Sequence, residues 1–166
     1  MNEFRSAGPS ESFVTLRRAT DADSDAMIRL IGDVFAEYPG CVLDVDREEP
    51  ELRAPGTLFD RAWVAEDARG AVLGCIAFAE RDAGRAELKK LYVSQDARGL
   101  GLGRRLVALV EEEARGRGLS VVELWSDTRF LTAHAVYDRL GYVGTGRERD
   151  LHDLSHTTEW HFEKRL

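Results

Sequence analysis

A glycine-rich segment, residues 98–104, has the composition of a phosphate-binding turn. It reads Arg98-Gly99-Leu100-Gly101-Leu102-Gly103-Arg104 and lies between an apolar strand pattern and an amphipathic helix pattern. Such a turn directs several backbone N–H groups at one point, beside the positive end of the helix dipole. Arg104 and Arg105 would oppose that dipole at a cost of about 0.3–1 kcal/mol each, and a bound polyanion would reverse the cost. The alternative interpretation is an ordinary strand–turn–helix connection whose glycines only provide flexibility.

The order of residues in this turn distinguishes between phosphate ligands. It lacks the Gly-Lys-Ser/Thr ending of a P-loop, so it supplies no lysine and hydroxyl for a nucleotide's terminal phosphate and magnesium. Arg98, Gly101 and Gly103 instead fit Arg/Gln-x-x-Gly-x-Gly/Ala. This pattern resembles the pyrophosphate-binding motif of the GNAT superfamily of acyl-CoA-dependent N-acyltransferases. Further along, Ala133-x-x-x-Tyr137-Asp138-x-x-Gly141-Tyr142 is similar to the family's Ala-x-x-x-Tyr-Glu-x-x-Gly-Phe segment. The resemblance covers residues 63–143 and is weaker elsewhere.

The resemblance implies a fold and a donor substrate. The fold is α+β and GNAT-like, with a central mixed, mostly antiparallel sheet and helices on both faces. Its fourth and fifth strands, here residues 85–93 and 119–125, splay apart around pantetheine. The donor is acetyl-CoA, and the backbone N–H of Val93 resembles the family's donor to the thioester carbonyl. The residues implied to bind acetyl-CoA are Leu91, Tyr92, Val93, Arg98, Gly99, Leu100, Gly101, Leu102, Gly103 and Arg104.

Acyl transfer to an amine requires a base for the ammonium and a hydrogen-bond donor for the leaving thiolate. Tyr137 matches the family tyrosine that faces the thioester sulfur. Proton transfer from a phenol of pKa about 10 to a thiolate of pKa about 8.5 is uphill by about 2 kcal/mol, so we expect hydrogen bonding. Glu87, near the start of the fourth strand, is the first candidate base, and Glu123 on the fifth strand is the alternative. Either glutamate is also interpretable as a solvated strand carboxylate that sets register.

One position departs from the family, and one group of residues suggests a metal. The family often carries an asparagine seven positions before the tyrosine, where this chain has Phe130. The usual side-chain contact with pantetheine is therefore not expected. Near the C-terminus lie His152, His156 and His161, with Asp153. Their spacing fits no standard metal site, and no metal is predicted.

A second catalytic class, a Ser-His-Asp hydrolase, is suggested by Ser126, Asp127 and His134, which are near one another in sequence. However, the chain contains no Gly-x-Ser-x-Gly elbow around this serine. Ser126 or Asp127 is more simply explained as the cap of the helix predicted over residues 128–140.

The remaining patterns predict the elements that position these residues. Thr20 caps a first helix, whose apolar residues recur at helical spacing. The long helix after the glycine turn has an apolar face, while Glu111 and Arg115 are predicted on its solvated face. The other strands are predicted at residues 13–18, 61–66, 71–80, 142–149 and 157–163.

Length and composition are those of one globular domain. The chain has 166 residues, 43% hydrophobic and 32% charged. We expect a loose polar tail over residues 1–11 and a single domain over residues 12–166. The net charge of −7 argues against nonspecific nucleic-acid binding. No run is apolar enough for a membrane span and no signal-peptide pattern opens the chain, so a cytoplasmic location is predicted.

The family resemblance implies an N-acetyltransferase that transfers acetyl from acetyl-CoA to a primary amine by direct attack in a ternary complex. The acceptor is a small molecule or a peptide. The alternative is a non-catalytic acyl-CoA sensor or interaction module with the same fold. Acidic residues concentrated within residues 44–51 suggest a cationic acceptor, although a solvated loop explains them more simply. The sequence identifies neither the acceptor nor the oligomeric state, and a homodimer is compatible with it.

Overall fold

A computed structural model describes residues 14–166. One seven-stranded sheet has the order β1-β2-β3-β4-β5-β7-β6, and only the β4–β5 pair is parallel. The expected α+β fold with a mixed, mostly antiparallel sheet is thereby confirmed. The predicted tail and the start of the domain lie outside the described residues. The strands are β1 (Thr15–Arg18), β2 (Arg61–Glu66), β3 (Val72–Arg81), β4 (Arg85–Val93), β5 (Val121–Asp127), β6 (Val143–Asp150) and β7 (Thr158–Arg165). The helices are α1 (Ser24–Phe35), α2 (Val45–Glu48), α3 (Pro55–Leu58), α4 (Leu102–Gly116) and α5 (Leu131–Arg139).

Helices cover both faces of the sheet because successive strand side chains point to opposite sides. Trp63 of β2 belongs to the apolar cluster that buries α4, whereas its neighbour Val64 belongs to the cluster that buries α1. Helix α4 contributes Leu106 and Val110, and α1 contributes Met27. No helix within residues 14–166 has the length and apolarity of a membrane span.

Strands β4 and β5 separate shortly after they begin. They pair only at Arg85↔Val121, Ala86↔Val122 and Glu87↔Glu123. Strand β5 stays paired with β7 along its whole length. In β4, Lys90 has a φ of 55°, and the register with β3 shifts nearby. Such a bulge bends a strand, and this one lies where β4 leaves β5. The predicted splay is confirmed, and it opens a gap in the sheet.

The predicted cap of α5 is wrong. The helix begins at Leu131, and Phe130 precedes it without capping it through a side chain. The carboxylate of Asp127 instead accepts hydrogen bonds from the backbone N–H and guanidinium of Arg129. Ser126 Oγ lies 3.1 Å from His134 Nε2. Asp127 therefore makes its contacts in the loop before α5, and Ser126 contacts the side of the helix, so neither residue caps it.

The predicted position of Glu111 on a solvated face of α4 is also wrong. Glu111 is buried and accepts hydrogen bonds from the Tyr142 hydroxyl at 3.1 Å and from Lys164 Nζ at 2.8 Å. Its expected partner Arg115 is 3.6 Å away. The two closer partners come from distant parts of the chain, so helical spacing alone could not identify them.

Gly74 allows α4 to lie close to β3. A Cβ there would lie 3.0 Å from Leu106 Cδ1 and 3.3 Å from the Tyr92 carbonyl oxygen. We expect Gly74→Ala to lower the free energy of unfolding by about 1–3 kcal/mol, because it overpacks this contact. Urea denaturation measures the change. In the control Gly144→Ala, the new Cβ meets Phe162 at an ordinary 3.8 Å. Equal stability of the two variants would contradict the close approach.

Candidate active site

The turn between β4 and α4 leaves its backbone N–H groups free. Within residues 14–166, no N–H from Gly99 to Arg104 donates a hydrogen bond, and the pattern resumes with Arg105 N–H to the Gly101 carbonyl at 3.1 Å. Gly99 and Gly101 have φ of 78° and 75°, a region that glycine adopts without strain. The free donors therefore gather at the positive end of the α4 dipole.

A cavity of about 510 Å³, here called the basic cavity, lies beside this turn. Arg98, Arg104 and Arg139 line it, and no Asp or Glu is among the described residues that do so. Its other lining residues include Leu91, Tyr92, Val93, Gly99, Gly101, Leu102 and Gly103. The charge and the free N–H groups suit a polyanionic ligand.

The arginines of the basic cavity differ in their contacts. Arg98 donates through Nε to the Val93 carbonyl at 3.1 Å and through Nη2 to Glu37 at 2.7 Å, which fastens the turn to the end of β4. Arg104 is exposed and makes no hydrogen bond to any residue from 14 to 166 through its side chain. The sequence did not single out Arg139, since an arginine in the last turn of a helix is ordinary. Leu100 is exposed.

A second cavity of about 430 Å³, here called the gap cavity, lies where β4 and β5 have separated. It shares Leu91, Tyr92, Phe130 and Ala133 with the basic cavity, so the two cavities adjoin along a common wall and are together called the cleft. Its walls come from β4, the end of β5, α5, the loop after α1, α2, the β6–β7 connection and the start of β7. The cleft thus passes from the glycine turn into the sheet.

Phe130 lies where the two cavities meet. Its ring centroid is 4.8 Å from that of Tyr38, 6.0 Å from that of Phe35 and 6.4 Å from that of Tyr92. Where the family often carries an asparagine, this chain has the aromatic ring of Phe130 at the wall of the cleft. A ligand passing this point would meet ring surfaces.

Tyr137 lines the gap cavity from α5 and is buried. Its ring packs 5.9 Å from Tyr142 and 6.0 Å from Phe162, measured between centroids. Burial raises the pKa of the Tyr137 hydroxyl well above its ordinary value, so the phenol stays protonated at neutral pH. No residue from 14 to 166 forms a hydrogen bond with that hydroxyl. It remains a donor for a ligand in the cavity.

Neither predicted base is among the residues that line the cleft. Glu87 and Glu123 lie opposite each other where β4 and β5 still pair. Glu87 accepts a 2.6 Å hydrogen bond from Arg81. Glu123 accepts hydrogen bonds from Arg85 at 2.8 Å and His161 at 2.9 Å. Burial alone would raise the pKa of Glu123, but these two hydrogen bonds outweigh it and lower the pKa.

A carboxylate that the sequence did not indicate, Glu159 of β7, lines the gap cavity with Tyr137. It lies opposite Asp127 in the β5–β7 ladder, at the open end of the gap. In the sequence it is one of several charged residues on a predicted hairpin strand. Only the pairing of β7 with the separated part of β5 places it in the cleft.

The acidic segment over residues 44–51 contributes less than its composition suggested. Only Glu48 and Glu49 line the gap cavity. Glu49 pairs with Lys90, and Glu48 accepts from the Leu154 N–H at 2.9 Å. The others have contacts elsewhere: Asp44 with the Arg47 N–H, Asp46 with Arg53 and Glu51 with Lys89. The prediction of a cationic acceptor now depends on Glu48 and Glu49.

The hydrolase and metal alternatives gain no support from the geometry. Ser126 and His134 are in contact, and burial lowers the pKa of His134. The carboxylate of Asp127 is occupied by Arg129, so it does not complete a triad with them. Within residues 14–166, no group of three or more histidine, cysteine or acidic side chains is placed to hold a metal ion.

Comparisons with known proteins agree with this geometry. The profile described as "Acetyltransferase (GNAT) family" matches residues 25–142. An IAA acetyltransferase of Azospirillum brasilense is 30% identical over 142 residues, covering 80% of this chain and 86% of that protein. A GNAT-family acetyltransferase of Staphylococcus aureus Mu50 superposes with a TM-score of 0.78 at 18% identity, over 92% of this chain and 99% of that one. The Salmonella typhimurium protein yncA, solved with its cofactor acetyl-CoA, gives 0.70 at 20% identity, over 93% and 95%. The resemblance found in the sequence is confirmed, and the chain belongs to the acetyltransferase (GNAT) family.

Proposed function

We propose that this protein is an acetyl-CoA-dependent N-acetyltransferase that acts on a primary amine by direct attack in a ternary complex. The observation that carries the proposal is the pair of adjoining cavities. Free backbone N–H groups lie at one end of it, and the Tyr137 side chain lies in the gap between β4 and β5. A fold neighbour solved with acetyl-CoA supports the choice of donor.

At the donor end, the proposed ligand group is the pyrophosphate of acetyl-CoA. The N–H groups from Gly99 to Arg104, the α4 dipole and the guanidiniums of Arg104 and Arg139 all favour negative charge. Arg98 stabilises the shape of the turn through the hydrogen bond that it donates to the Val93 carbonyl. With the pyrophosphate bound in this way, the pantetheine arm would extend into the gap between β4 and β5.

In the gap, β4 offers backbone groups that β5 no longer pairs. Ser94 donates its N–H to the Leu73 carbonyl on the β3 side. Because successive residues of a strand direct their backbone groups to opposite sides, the Val93 N–H points toward the gap. This orientation supports the proposal that it donates to the thioester carbonyl, where negative charge develops during attack.

The proposed chemistry needs little from Tyr137 beyond a hydrogen bond. The amine nitrogen forms a bond to the thioester carbonyl carbon, and the carbon–sulfur bond then breaks. Tyr137 donates to the sulfur as it gains negative charge, and the raised pKa of its phenol opposes full ionisation. The products are the acetylated amine, CoA and a proton.

A panel of polyamines, aminoglycosides, amino acids and peptides with free N-termini tests this function. We expect at least one of these amines to accelerate release of free CoA from acetyl-CoA, with the acetylated amine detected by mass spectrometry. An identical assay without amine gives the background hydrolysis. Tight acetyl-CoA binding without acetylation of any amine would favour a sensor over an enzyme.

A further inference from the structure

We infer that Glu159 is the base that takes the proton from the acceptor ammonium, an assignment that rests on the proposed acetyl transfer and extends it. Glu159 and Tyr137 line the same cavity from different elements, β7 and α5. A carboxylate and a phenol therefore line the cavity in which amine and thioester would meet. Proton acceptance from the ammonium and hydrogen bonding to the leaving sulfur would fall to groups on separate walls.

The contacts of Glu159 leave one of its oxygens available. Arg149 of β6 contacts Oε2 through both Nε and Nη2, each at 2.7 Å. The guanidinium of Arg149 also lies over the Trp125 ring, 4.2 Å from its centroid, which holds it in place. Oε1 has no hydrogen-bond partner among residues 14–166. The carboxylate is thus oriented through one oxygen and free at the other.

The surroundings of Glu159 suit a base. Burial raises its pKa above the ordinary value, although the hydrogen bond from Arg149 opposes the shift. Lys90 of β4 also lowers the pKa, and Glu87 of β4 raises it. Asp127 of β5 faces Glu159 across the ladder. The other charged or titratable residues of the cavity are Arg47, Glu48 and Glu49 from α2 and the residue after it, Lys89 and Tyr92 of β4, Cys41 of the loop after α1, Tyr137 of α5, and His152 and Asp153 of the β6–β7 connection.

The other carboxylates of the gap cavity also make structural contacts, two of them through both oxygens and two through one oxygen. Both oxygens of Asp127 bind Arg129, and both oxygens of Asp153 bind Thr157. Glu49 pairs with Lys90. Glu48 holds the Leu154 N–H. Glu159 combines a free oxygen with a raised pKa, and both features favour proton acceptance at this residue.

The proposed reaction begins when a primary ammonium passes one proton to Glu159 Oε1. The free amine then attacks the thioester carbonyl carbon with its lone pair. The tetrahedral intermediate carries a second excess proton on nitrogen, which goes to the departing sulfur as the carbon–sulfur bond breaks. Glu159 returns the first proton to solvent. The net products are amide, CoA thiol and one proton.

The test is the pH dependence of the single-turnover rate in Glu159→Gln, measured with the panel amine that gives the highest kcat/KM. We expect the variant to be slower than the parent by about 10²–10⁴-fold at pH 7, because glutamine cannot accept the proton. The variant's rate should rise by about tenfold per pH unit as the fraction of free amine grows, so that its rate approaches the parent's rate at high pH. If Glu159 had only a structural role, the ratio of the two rates would not change with pH in this way.

Glu163→Gln is the matched control. Glu163 lies on the same strand and face, pairs with Arg85 at 2.5 Å and lines neither cavity. We expect its rate to stay within about twofold of the parent, because this half-buried pair lies outside the cleft and Arg85 keeps its second carboxylate partner, Glu123. If Glu159→Gln is as fast as the parent, or slower by the same factor at every pH, the assignment of Glu159 as the base is overturned while the proposed function stands. Failure of the parent to acetylate any panel amine would overturn the proposed function and the assignment with it.

Discussion

We expect Tyr137→Phe to lower the single-turnover rate of acetyl transfer by about 10- to 1000-fold and to leave acetyl-CoA affinity nearly unchanged. The hydroxyl acts when negative charge reaches sulfur, which happens in the transition state and scarcely in the ground state. Consequently kcat and kcat/KM fall together. Phenylalanine keeps the ring contacts with Tyr142 and Phe162, so the free energy of unfolding should change little. Rapid-quench measurement of acetylated amine gives the rate without product release.

Tyr142→Phe provides a control with the opposite expected result. The Tyr142 hydroxyl donates to buried Glu111 at 3.1 Å, so its loss should cost about 1–3 kcal/mol of stability. Tyr142 lines neither cavity, and its variant should therefore retain the parent rate. Comparison of the two variants therefore distinguishes a loss of catalytic rate from a loss of stability. A parent-like single-turnover rate for Tyr137→Phe would make Tyr137 a packing residue.

We expect Gly101→Asp to weaken acetyl-CoA binding by about 10- to 1000-fold, because it would place a carboxylate a few ångströms from the proposed pyrophosphate position. A Cβ at Gly101 meets no atom within 4 Å, so the new side chain occupies the space beside the free N–H groups. The residue has a φ of 75°, which aspartate and asparagine tolerate better than most side chains. Calorimetric titration of the folded variant with acetyl-CoA measures the change.

Two variants separate charge from backbone strain in this experiment. Gly101→Asn has nearly the same shape and φ preference without the charge, so its smaller loss of affinity isolates the steric part. Gly70→Asp places the same charge at a glycine with φ of 81° and open surroundings, in the β2–β3 hairpin turn. We expect parent-like affinity there. Parent-like affinity of Gly101→Asp would mean that the pyrophosphate binds elsewhere.

The parts of the fold and site that the sequence predicted depend on local patterns. The glycine turn of residues 98–104 combines backbone freedom, helix start and arginines within one short segment, so its geometry is encoded locally. Strand and helix periodicity likewise predicted β4, α4 and the closing hairpin. The splay between β4 and β5 followed from the family resemblance and is confirmed.

The features that the sequence missed depend on contacts between distant segments. Glu111 is buried because Tyr142 and Lys164 reach it from elements that follow α4 by many residues. Glu159 enters the cleft only because β7 pairs with the separated part of β5. Strand position alone suggested Glu87, and nothing local indicated that Arg81 would hold its carboxylate outside the cleft. Side-chain partners across a sheet are fixed by register, which periodicity does not reveal.

A crystal structure of the protein with acetyl-CoA tests the central claim, that the basic cavity and the gap cavity form one acetyl-transfer cleft. The account predicts that the pyrophosphate accepts hydrogen bonds from N–H groups between Gly99 and Arg104. It also predicts that pantetheine passes Phe130 and brings the thioester sulfur within hydrogen-bond reach of the Tyr137 hydroxyl. Acetyl-CoA bound with its pyrophosphate away from the turn, or with pantetheine outside the gap between β4 and β5, would contradict it.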